Sequence, residues 1–313
     1  RGSCSLATST ADQALEAYLI DTRSRVDVVL ERWSAAGHAF WPAPVPAAVQ
    51  YSVLSAGKRL RPTLVFAAYE ALGGDGAASG IGELAAAVEV VHAYSLVHDD
   101  LPCMDNDDLR RGRPTVHRAF DVRAATSAGF HMVGLAARVL ASGLDALRVE
   151  SDRRRAIALE LFRAAGAGGM IGGQVLDLEA EGLAISIGAL QEVHQRKTGA
   201  LIAAACVIGG LAAGSGAPAD HLAALRVYGE AIGLAFQIAD DILDATATSA
   251  QLGKTAGRDA ALAKSTFVSI LGVGPARAEA ERLAAQAVDR LRQAALASPT
   301  LVALAHYIVT RTN

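Results

Sequence analysis

The stretch GELAAAVEVVHAYSLVHDDL, residues 82–101, is a long apolar segment that runs directly into Pro102. Its alanine, leucine and valine residues favour a buried helix, and the proline ends that helix. The whole chain has a similar character, because 52% of its 313 residues are hydrophobic and only 5% are aromatic. Alternating strand patterns bounded by tight turns are nearly absent. We therefore predict an all-α protein with one deep helical core.

Further helices are predicted on both sides of this segment, separated by clusters of proline and glycine. No linker divides the chain. We therefore predict one domain over residues 11–313, preceded by a disordered or expression-derived segment at residues 1–10. The predicted helices cover residues 11–36, a run from about 62 to 73, and residues 82–101, 121–146, 151–166, 186–214, 219–247, 276–297 and 299–311.

Composition excludes several classes of protein. The formal net charge of −3 argues against a strongly basic nucleic-acid binder. The three cysteines, Cys4, Cys103 and Cys206, form no even disulfide framework, so we expect a reducing, cytoplasmic compartment. The first ten residues lack the apolar core of a signal peptide. Residues 199–218 carry no charge, but they are mostly alanine and glycine, so we expect a buried helix and no stable membrane insertion.

Two clusters of aspartates interrupt the apolar pattern. Five lie within HDDLPCMDNDD, residues 98–108, and three lie within FQIADDILD, residues 236–244. A solvated helix end is the simpler interpretation of the first cluster taken alone. In the second, like charges four residues apart share one helical face and repel each other unless a cation lies between them. Carboxylate oxygens are typical ligands of Mg²⁺, whereas zinc usually binds histidine or cysteine. We therefore predict magnesium ligands at Asp99, Asp100, Asp105, Asp240 and Asp244.

The spacing of the first cluster poses a geometric problem. Asp99 and Asp105 are six residues apart, which is about 600° of rotation on a straight helix, so they cannot share a face. Pro102 lies between them and should open the helix. We expect the chain to turn back there and to bring Asp105 close to Asp99.

Basic residues lie near both acidic clusters, and magnesium held by few carboxylates usually also holds phosphates. GKRLRP opens a helix at residues 57–62, and RRGR follows the first cluster at residues 110–113. Taken singly, each basic residue is a surface charge; taken with the aspartates, they predict anchors for two polyanions. His92 lies on the helical face of Asp99, either within this site or as a hydrogen-bonded core histidine. The other candidate anchors are Lys197, Thr198, Lys254 and Lys264.

The ordered set of these motifs resembles the trans-isoprenyl diphosphate synthase (polyprenyl synthetase) family in its bacterial short-chain form. The family's first aspartate motif, DDxxxxD, matches residues 99–105, and its second, DDxxD, matches residues 240–244. Its Gly-Lys-Arg, Arg-Arg, Lys-Thr, Phe-Gln and Gly-Lys elements follow in order between residues 50 and 271. One departure is Phe130, which stands where relatives often carry aspartate. That change puts the local packing in doubt more than the chemistry.

The resemblance implies a single large helical bundle around a deep central cavity, usually in a homodimer. It implies a Mg²⁺-dependent reaction in which an allylic diphosphate ionises and the double bond of isopentenyl diphosphate attacks the cation. The implied catalytic residues are Lys197, Thr198, Gln237, Asp99 and Asp240. Asp99, Asp105 and Asp240 would bind three Mg²⁺ ions, with Asp100 and Asp244 in support. Arg110, Lys197, Thr198, Gln237, Lys254 and Lys264 would contact the allylic diphosphate, and Lys58, Arg61, His92 and Arg111 would contact isopentenyl diphosphate.

Product length should depend on the helix of residues 82–101. Tyr94 precedes Asp99 by five residues, about 7.5 Å at ~1.5 Å per residue, and the small Ser95 leaves Tyr94 as the first bulky obstacle. In the family, an aromatic residue here together with the longer first motif goes with a fifteen-carbon product. We therefore expect farnesyl diphosphate, with geranylgeranyl diphosphate as the alternative. The alternative for Tyr94 is ordinary core packing.

Three other functions share part of the pattern. A class I terpene cyclase would need neither the Gly-Lys-Arg site at residues 57–59 nor a DDxxD second motif. A catalytically silent partner subunit usually loses aspartates, and both motifs are whole here. A di-iron carboxylate bundle needs two Glu-x-x-His motifs, and we find only the one from Glu89 to His92. Incubation with isopentenyl and allylic diphosphates separates all three from a prenyltransferase.

Overall fold

The computed structural model describes residues 10–214, 218–246 and 264–311. The all-α prediction is confirmed, and the strands in the described part form one short antiparallel ribbon of β1 (Leu109–Arg110) and β2 (Arg113–Pro114). The helices are α1 (Thr10–Ala36), α2 (Val45–Val53), α3 (Leu60–Ala71), α4 (Ser79–Asp99), α5 (Val116–Ala119), α6 (Val122–Ala146), α7 (Ser151–Ala165), α8 (Met170–Glu179), α9 (Ile187–His194), α10 (Ala200–Ala212), α11 (Ala219–Thr246), α12 (Phe267–Leu271), α13 (Val273–Gln293) and α14 (Pro299–Thr310).

The predicted helix boundaries hold to within a few residues for most of the long helices. Four helices were not predicted: α2, α5, α8 and α12. Helix α2 begins among prolines, which favour a break in a helix. Pro46 lies in the first turn of α2, where no backbone hydrogen bond is lost. The predicted run of residues 186–214 is divided by a π-helical turn, Gln195–Gly199, which joins α9 to α10.

The helix α4 forms the centre of the bundle and packs mainly against α6, with α1, α3 and α10 also in contact. Residues 80–91 of α4 are all buried, as in a core helix, and the two glutamates among them, Glu83 and Glu89, pair with Arg32 and Arg59. Most of the apolar stretch of α4 (78%) and of α11 (61%) is buried, although both are long and apolar enough to cross a membrane by length and composition.

The other half of the bundle is built on α11, which packs against α10, α13 and α14. The predicted buried helix in residues 199–218 is confirmed for α10, whose residues 201–210 are all buried; residues 215–217 lie outside the described part. The C-terminal end of α4, the π-helical turn, the second half of α11 and the end of α14 carry the polar side chains that meet in the site.

Candidate active site

A cavity of about 350 Å³ opens beside the end of α4 and is enclosed by α4, α8 and the π-helical turn. Its wall is mainly apolar, with a few polar and charged groups that converge from different helices, as is typical of small-molecule sites. Residues predicted from three separate motifs therefore lie in one place. Of the predicted site residues, Arg61, His92, Tyr94, Ser95, Asp99, Lys197 and Thr198 line this cavity.

The first aspartate motif folds back on itself, as the spacing predicted. Helix α4 ends at Asp99, and the backbone N–H of Asp105 donates to the carbonyl of Asp99 at 2.9 Å. The N–H of Asn106 donates to the carbonyl of Leu101 at 3.1 Å, and Asn106 adopts a left-handed φ of 50°. Asparagine tolerates this conformation better than most residues. The predicted return of Asp105 towards Asp99 is confirmed.

The Asp99 carboxylate lies in an unusual electrostatic environment at the cavity wall. Burial raises its pKa to about 6; Lys197 lowers the pKa, while the neighbouring Asp105 raises it. Two carboxylates held close together in a partly desolvated place favour a cation between them. This arrangement fits a hard divalent ion.

Asp100 points to a different partner from Asp99. Its carboxylate is buried and accepts three hydrogen bonds from the Arg110 guanidinium, at 2.6 to 3.0 Å. Asp107 also approaches Arg110, at 3.6 Å. Burial alone would lower the pKa of Arg110, but Asp100 raises it overall. In the structure, Asp100 and Arg110 therefore neutralise each other.

An acidic residue that the sequence did not single out, Asp177 on α8, connects two of the predicted lysines. Lys197 contacts its carboxylate at 2.6 Å and Lys264 at 3.4 Å. Burial would raise the pKa of Asp177, but the two lysines lower it. Lys264 also lies 3.7 Å from Asp105. Lys264 therefore joins the first aspartate motif to α8.

Helix α8 approaches the π-helical turn very closely. A Cβ atom at Gly173 would lie 2.1 Å from the backbone nitrogen of Lys197, so only glycine permits this packing. The next residue, Gln174, is buried at the cavity wall, and neither atom of its side-chain amide has a hydrogen-bond partner among the described residues. The π-helical turn itself widens the helix where Lys197 and Thr198 face the cavity, a feature frequent at functional sites.

The second aspartate motif is tied to this turn by hydrogen bonds. The Thr198 hydroxyl donates to Gln237 Oε1 at 3.2 Å, and Gln237 Nε2 donates to Asp241 at 3.3 Å. Asp241 also accepts from the backbone N–H of Phe267 at 2.9 Å. Asp241 therefore holds the start of α12 against α11, and Asp244 is buried one turn further on.

Asp240 is the aspartate of this motif that is most open to the site. Its side chain is 41% exposed, and Arg311, at the end of α14, contacts it at 2.6 Å. The Arg311 guanidinium also lies 4.1 Å above the ring of Phe236 and donates to the carbonyl of that residue. This partner could not be predicted from the sequence, because Arg311 lies 71 residues away along the chain.

Four predicted residues form a basic region beside the cavity. Burial, with a smaller effect of Arg111, lowers the pKa of Arg61 to about 10. Burial, Arg311 and Arg111 together lower the pKa of Lys58 to about 8. Burial, together with Arg61, also lowers the pKa of His92 well below its usual range, so the imidazole is neutral at pH 7. The Nε atom of Arg61 is buried without a hydrogen-bond partner among the described residues. An anion bound in this region would stabilise the charged forms of Lys58 and Arg61.

Arg59, between the two predicted contacts at 58 and 61, does not face the cavity. It is buried, has a left-handed φ of 51°, and donates to Asp27 at 2.9 Å and to Glu89 at 2.7 Å. It also donates to the carbonyl of Val53 at 2.8 Å. Arg59 therefore fixes the loop before α3, and Glu89 is engaged in this network rather than in a di-iron site.

The candidate metal donors are carboxylate oxygens, which suit magnesium. They are too few to hold a metal ion without ligands from water or substrate. In the ranges that the structure describes, no three His, Cys, Asp or Glu side chains form a group that could hold a metal ion. Magnesium keeps several waters and takes phosphate oxygens from a substrate, so one or two carboxylates suffice. Asp99 with Asp105, and Asp240, are the candidate donors. Lys254 lies outside the described residues.

The chain is similar to known proteins over most of its length. The family model described as "Polyprenyl synthetase" matches residues 43–298. The chain is 46% identical to farnesyl diphosphate synthase of Escherichia coli (strain K12) over 275 residues, which cover 87% of this chain and 91% of that protein. It is 38% identical to a chloroplastic geranylgeranyl pyrophosphate synthase of Catharanthus roseus over 309 residues, covering 98% and 84% of the two chains.

Solved structures show the same fold. A geranyltransferase from Legionella pneumophila superposes with a TM-score of 0.79 at 35% identity, with 97% of each chain covered. A Helicobacter pylori geranyltransferase complexed with magnesium and isoprenyl diphosphate superposes with a TM-score of 0.80 at 31% identity, again over 97% of each chain.

Proposed function

The chain belongs to the polyprenyl synthetase family and is a prenyltransferase that elongates prenyl chains, and we propose that its product is farnesyl diphosphate. Isopentenyl diphosphate would condense with dimethylallyl or geranyl diphosphate, and pyrophosphate would leave. The observation that carries the product assignment is Tyr94, which is 9% exposed and lines the cavity wall on the same helix as Asp99.

The acidic side of the site would receive the allylic diphosphate. Mg²⁺, when bound, would neutralise the charge that develops on the leaving pyrophosphate. Asp99, Asp105 and Asp240 would bind it, and three ions per site is the number that the family resemblance implies. Lys197 and Lys264 would exchange their contact with Asp177 for phosphate oxygens. Arg110, Asp100, Asp244 and Lys254 would support this binding.

The π-helical turn would stabilise the allylic cation. The Thr198 hydroxyl and the Gln237 amide are linked at 3.2 Å, so their dipoles are fixed before the reaction starts. The apolar wall excludes water, which would otherwise quench the cation. The proton that the new product loses would pass to the departing pyrophosphate.

The basic region would hold isopentenyl diphosphate. Burial lowers the pKa of three cations here, Lys58, Arg61 and Arg111, by more than the nearby carboxylates raise it. A bound diphosphate would stabilise their charged forms. Neutral His92 can donate one hydrogen bond without adding repulsion. The nucleophilic double bond would then lie beside the allylic carbon, between the two diphosphates.

Tyr94 would form the floor of the cavity. Tyr94 lines the cavity five residues before Asp99 on α4, beside the small Ser95, and Leu96 and His98 line the wall between Tyr94 and Asp99. Of these side chains, the Tyr94 ring would stop the growing chain. With geranyl diphosphate, isopentenyl diphosphate and Mg²⁺, the enzyme should give farnesyl diphosphate, identified by chromatography against standards. Tyr94→Ala should shift the product to twenty carbons or more, whereas Tyr94→Phe, which keeps the ring, should still stop at fifteen. If Tyr94→Ala also stops at fifteen carbons, another residue forms the floor.

Geranylgeranyl diphosphate is the second candidate product. Plant relatives named as geranylgeranyl pyrophosphate synthases are 42–43% identical to this chain, close to the 46% of the bacterial farnesyl diphosphate synthase. The same chromatogram decides between them: a twenty-carbon diphosphate from the unmodified enzyme would replace the assignment. A cyclised hydrocarbon would point instead to a terpene cyclase.

We also propose a cytoplasmic homodimer. One face of α6 exposes Val122, Phe130 and Val133, with Phe130 68% exposed, and such an apolar stripe suits contact with a second copy. Light scattering during size exclusion should give twice the mass of the chain, 32.2 kDa. A monomeric mass at micromolar concentration would reject the dimer.

A further inference from the structure

The residue that departs from the family pattern, Phe130, is connected to the floor of the cavity by a row of rings. Its ring meets that of His98 edge-to-face, with centroids 5.6 Å apart and planes at 80°. His98 in turn meets Tyr94 edge-to-face, at 5.3 Å and 80°. Both His98 and Tyr94 line the cavity, whereas Phe130 lies on the exposed face of α6. The row therefore runs from the surface of α6 to the position where a growing chain would stop.

His98 is confined between α4 and α6. Its Nε2 donates to the carbonyl of Thr126 at 3.2 Å. A Cβ atom at Gly129 would lie 2.0 Å from Nε2, so the ring lies directly against the backbone of α6. The rings of Phe130 and Tyr94 both contact the His98 ring edge-to-face. Because edge-to-face pairs favour particular orientations, the three rings restrict one another.

We propose that Phe130 is a positioning residue for product length, because it holds His98 against Tyr94 and so keeps the Tyr94 ring across the path of the growing prenyl chain. The proposal rests on the farnesyl product and on Tyr94 as the floor. Phe130 touches neither substrate nor metal donors. With Phe130 removed, the His98 ring can move into the space that the Phe130 ring leaves, and Tyr94 gains room to turn aside.

Phe130 suits a mutational test, since it lies on the surface of the chain and its truncation leaves no cavity inside the helical bundle. Truncation also removes part of the proposed dimer contact, an effect that the control below shares. Phe130→Ala should raise the ratio of twenty-carbon to fifteen-carbon product by between about twofold and about tenfold, the population change that one aromatic pair supports. The KM for isopentenyl diphosphate should stay unchanged. Phe130→Tyr, which keeps the ring, should restore the ratio of the unmodified enzyme.

A matched control is Val133→Ala, on the same exposed face of α6. It should leave the product ratio unchanged and thereby separate the ring contact from any general effect of this surface, including one on a dimer. Products are quantified by chromatography, and melting temperatures confirm that all variants are folded.

Two results overturn the proposal while the assigned function stands. One is a product ratio in Phe130→Ala equal to that of the unmodified enzyme, when Tyr94→Ala does lengthen the product. The other is an equal lengthening in Phe130→Ala and Val133→Ala, or in Phe130→Ala and Phe130→Tyr. If Tyr94→Ala fails to lengthen the product, both the floor assignment and the row of rings are wrong.

Discussion

The two sides of the proposed site differ in how their charges are balanced. The acidic side comprises Asp99, Asp105 and Asp240 with the cations beside them, and the basic side is the basic region of Lys58, Arg61, His92 and Arg111. On the acidic side every described cation already has an acidic partner: Lys197 and Lys264 contact Asp177, and Arg110 holds Asp100. The pKa values of Lys264 and Arg110 are accordingly raised despite burial.

On the basic side the shifts have the opposite sign. Burial lowers the pKa of Lys58, Arg61 and Arg111, and nearby carboxylates compensate only in part. The charged forms of these side chains are therefore destabilised by burial, and a bound anion would stabilise them. On the proposed assignment, isopentenyl diphosphate would bind to the protein directly, whereas the allylic diphosphate would need additional positive charge, which Mg²⁺ would supply.

The largest expected effect concerns the acidic side. Asp240→Ala should lower turnover by at least about 10²–10³-fold, because loss of one charge-stabilising group already has that effect and metal binding is weakened as well. Steady-state kinetics at saturating Mg²⁺ measures it. The control is Asp108→Ala, since the Asp108 carboxylate is exposed and pairs with the exposed Arg118. Near-normal turnover in Asp240→Ala would remove the second motif from the mechanism.

A smaller effect should distinguish the two substrates. Lys58→Ala should raise the KM for isopentenyl diphosphate by about 10–100-fold, the effect of losing one charge-assisted hydrogen bond. The KM for geranyl diphosphate should change little, because Lys58 lies on the basic side. Equal increases in both KM values would show that the two sides are not separate binding sites.

The smallest effect is a pH dependence. With a pKa of about 8, Lys58 is charged below this pH and loses its proton as the pH rises through it. The kcat/KM for isopentenyl diphosphate, which reports the free enzyme, should therefore fall by up to about fivefold between pH 8 and pH 9. Lys58→Arg should move this decline to higher pH. A decline at the same pH in Lys58→Arg would assign it to another group.

The sequence predicted those parts of the molecule that depend on neighbours along the chain. Apolar periodicity predicted the long helices, and Pro102 predicted the return of Asp105, because both are local effects. The motifs also predicted that Asp99, Lys197 and Thr198 belong to one site, and all three line the same cavity.

Contacts between distant segments could not be predicted in this way. Asp177 lies in an ordinary helical stretch, and only the close packing of α8 at Gly173 brings it to the lysines. Arg311 and Asp240 meet because α14 packs against α11. The place of Phe130 beside His98 depends on the contact between α4 and α6. Each needs tertiary packing, which a single sequence does not reveal.

The central claim, that the two sides differ in their need for metal, is tested most directly by calorimetric titration of each substrate alone. Geranyl diphosphate should bind in the presence of Mg²⁺ and lose at least about tenfold in affinity when the metal is removed with EDTA. Isopentenyl diphosphate should bind with nearly the same Kd in both buffers. Equal metal dependence of the two substrates, or geranyl diphosphate binding that persists unchanged in EDTA, would contradict the account.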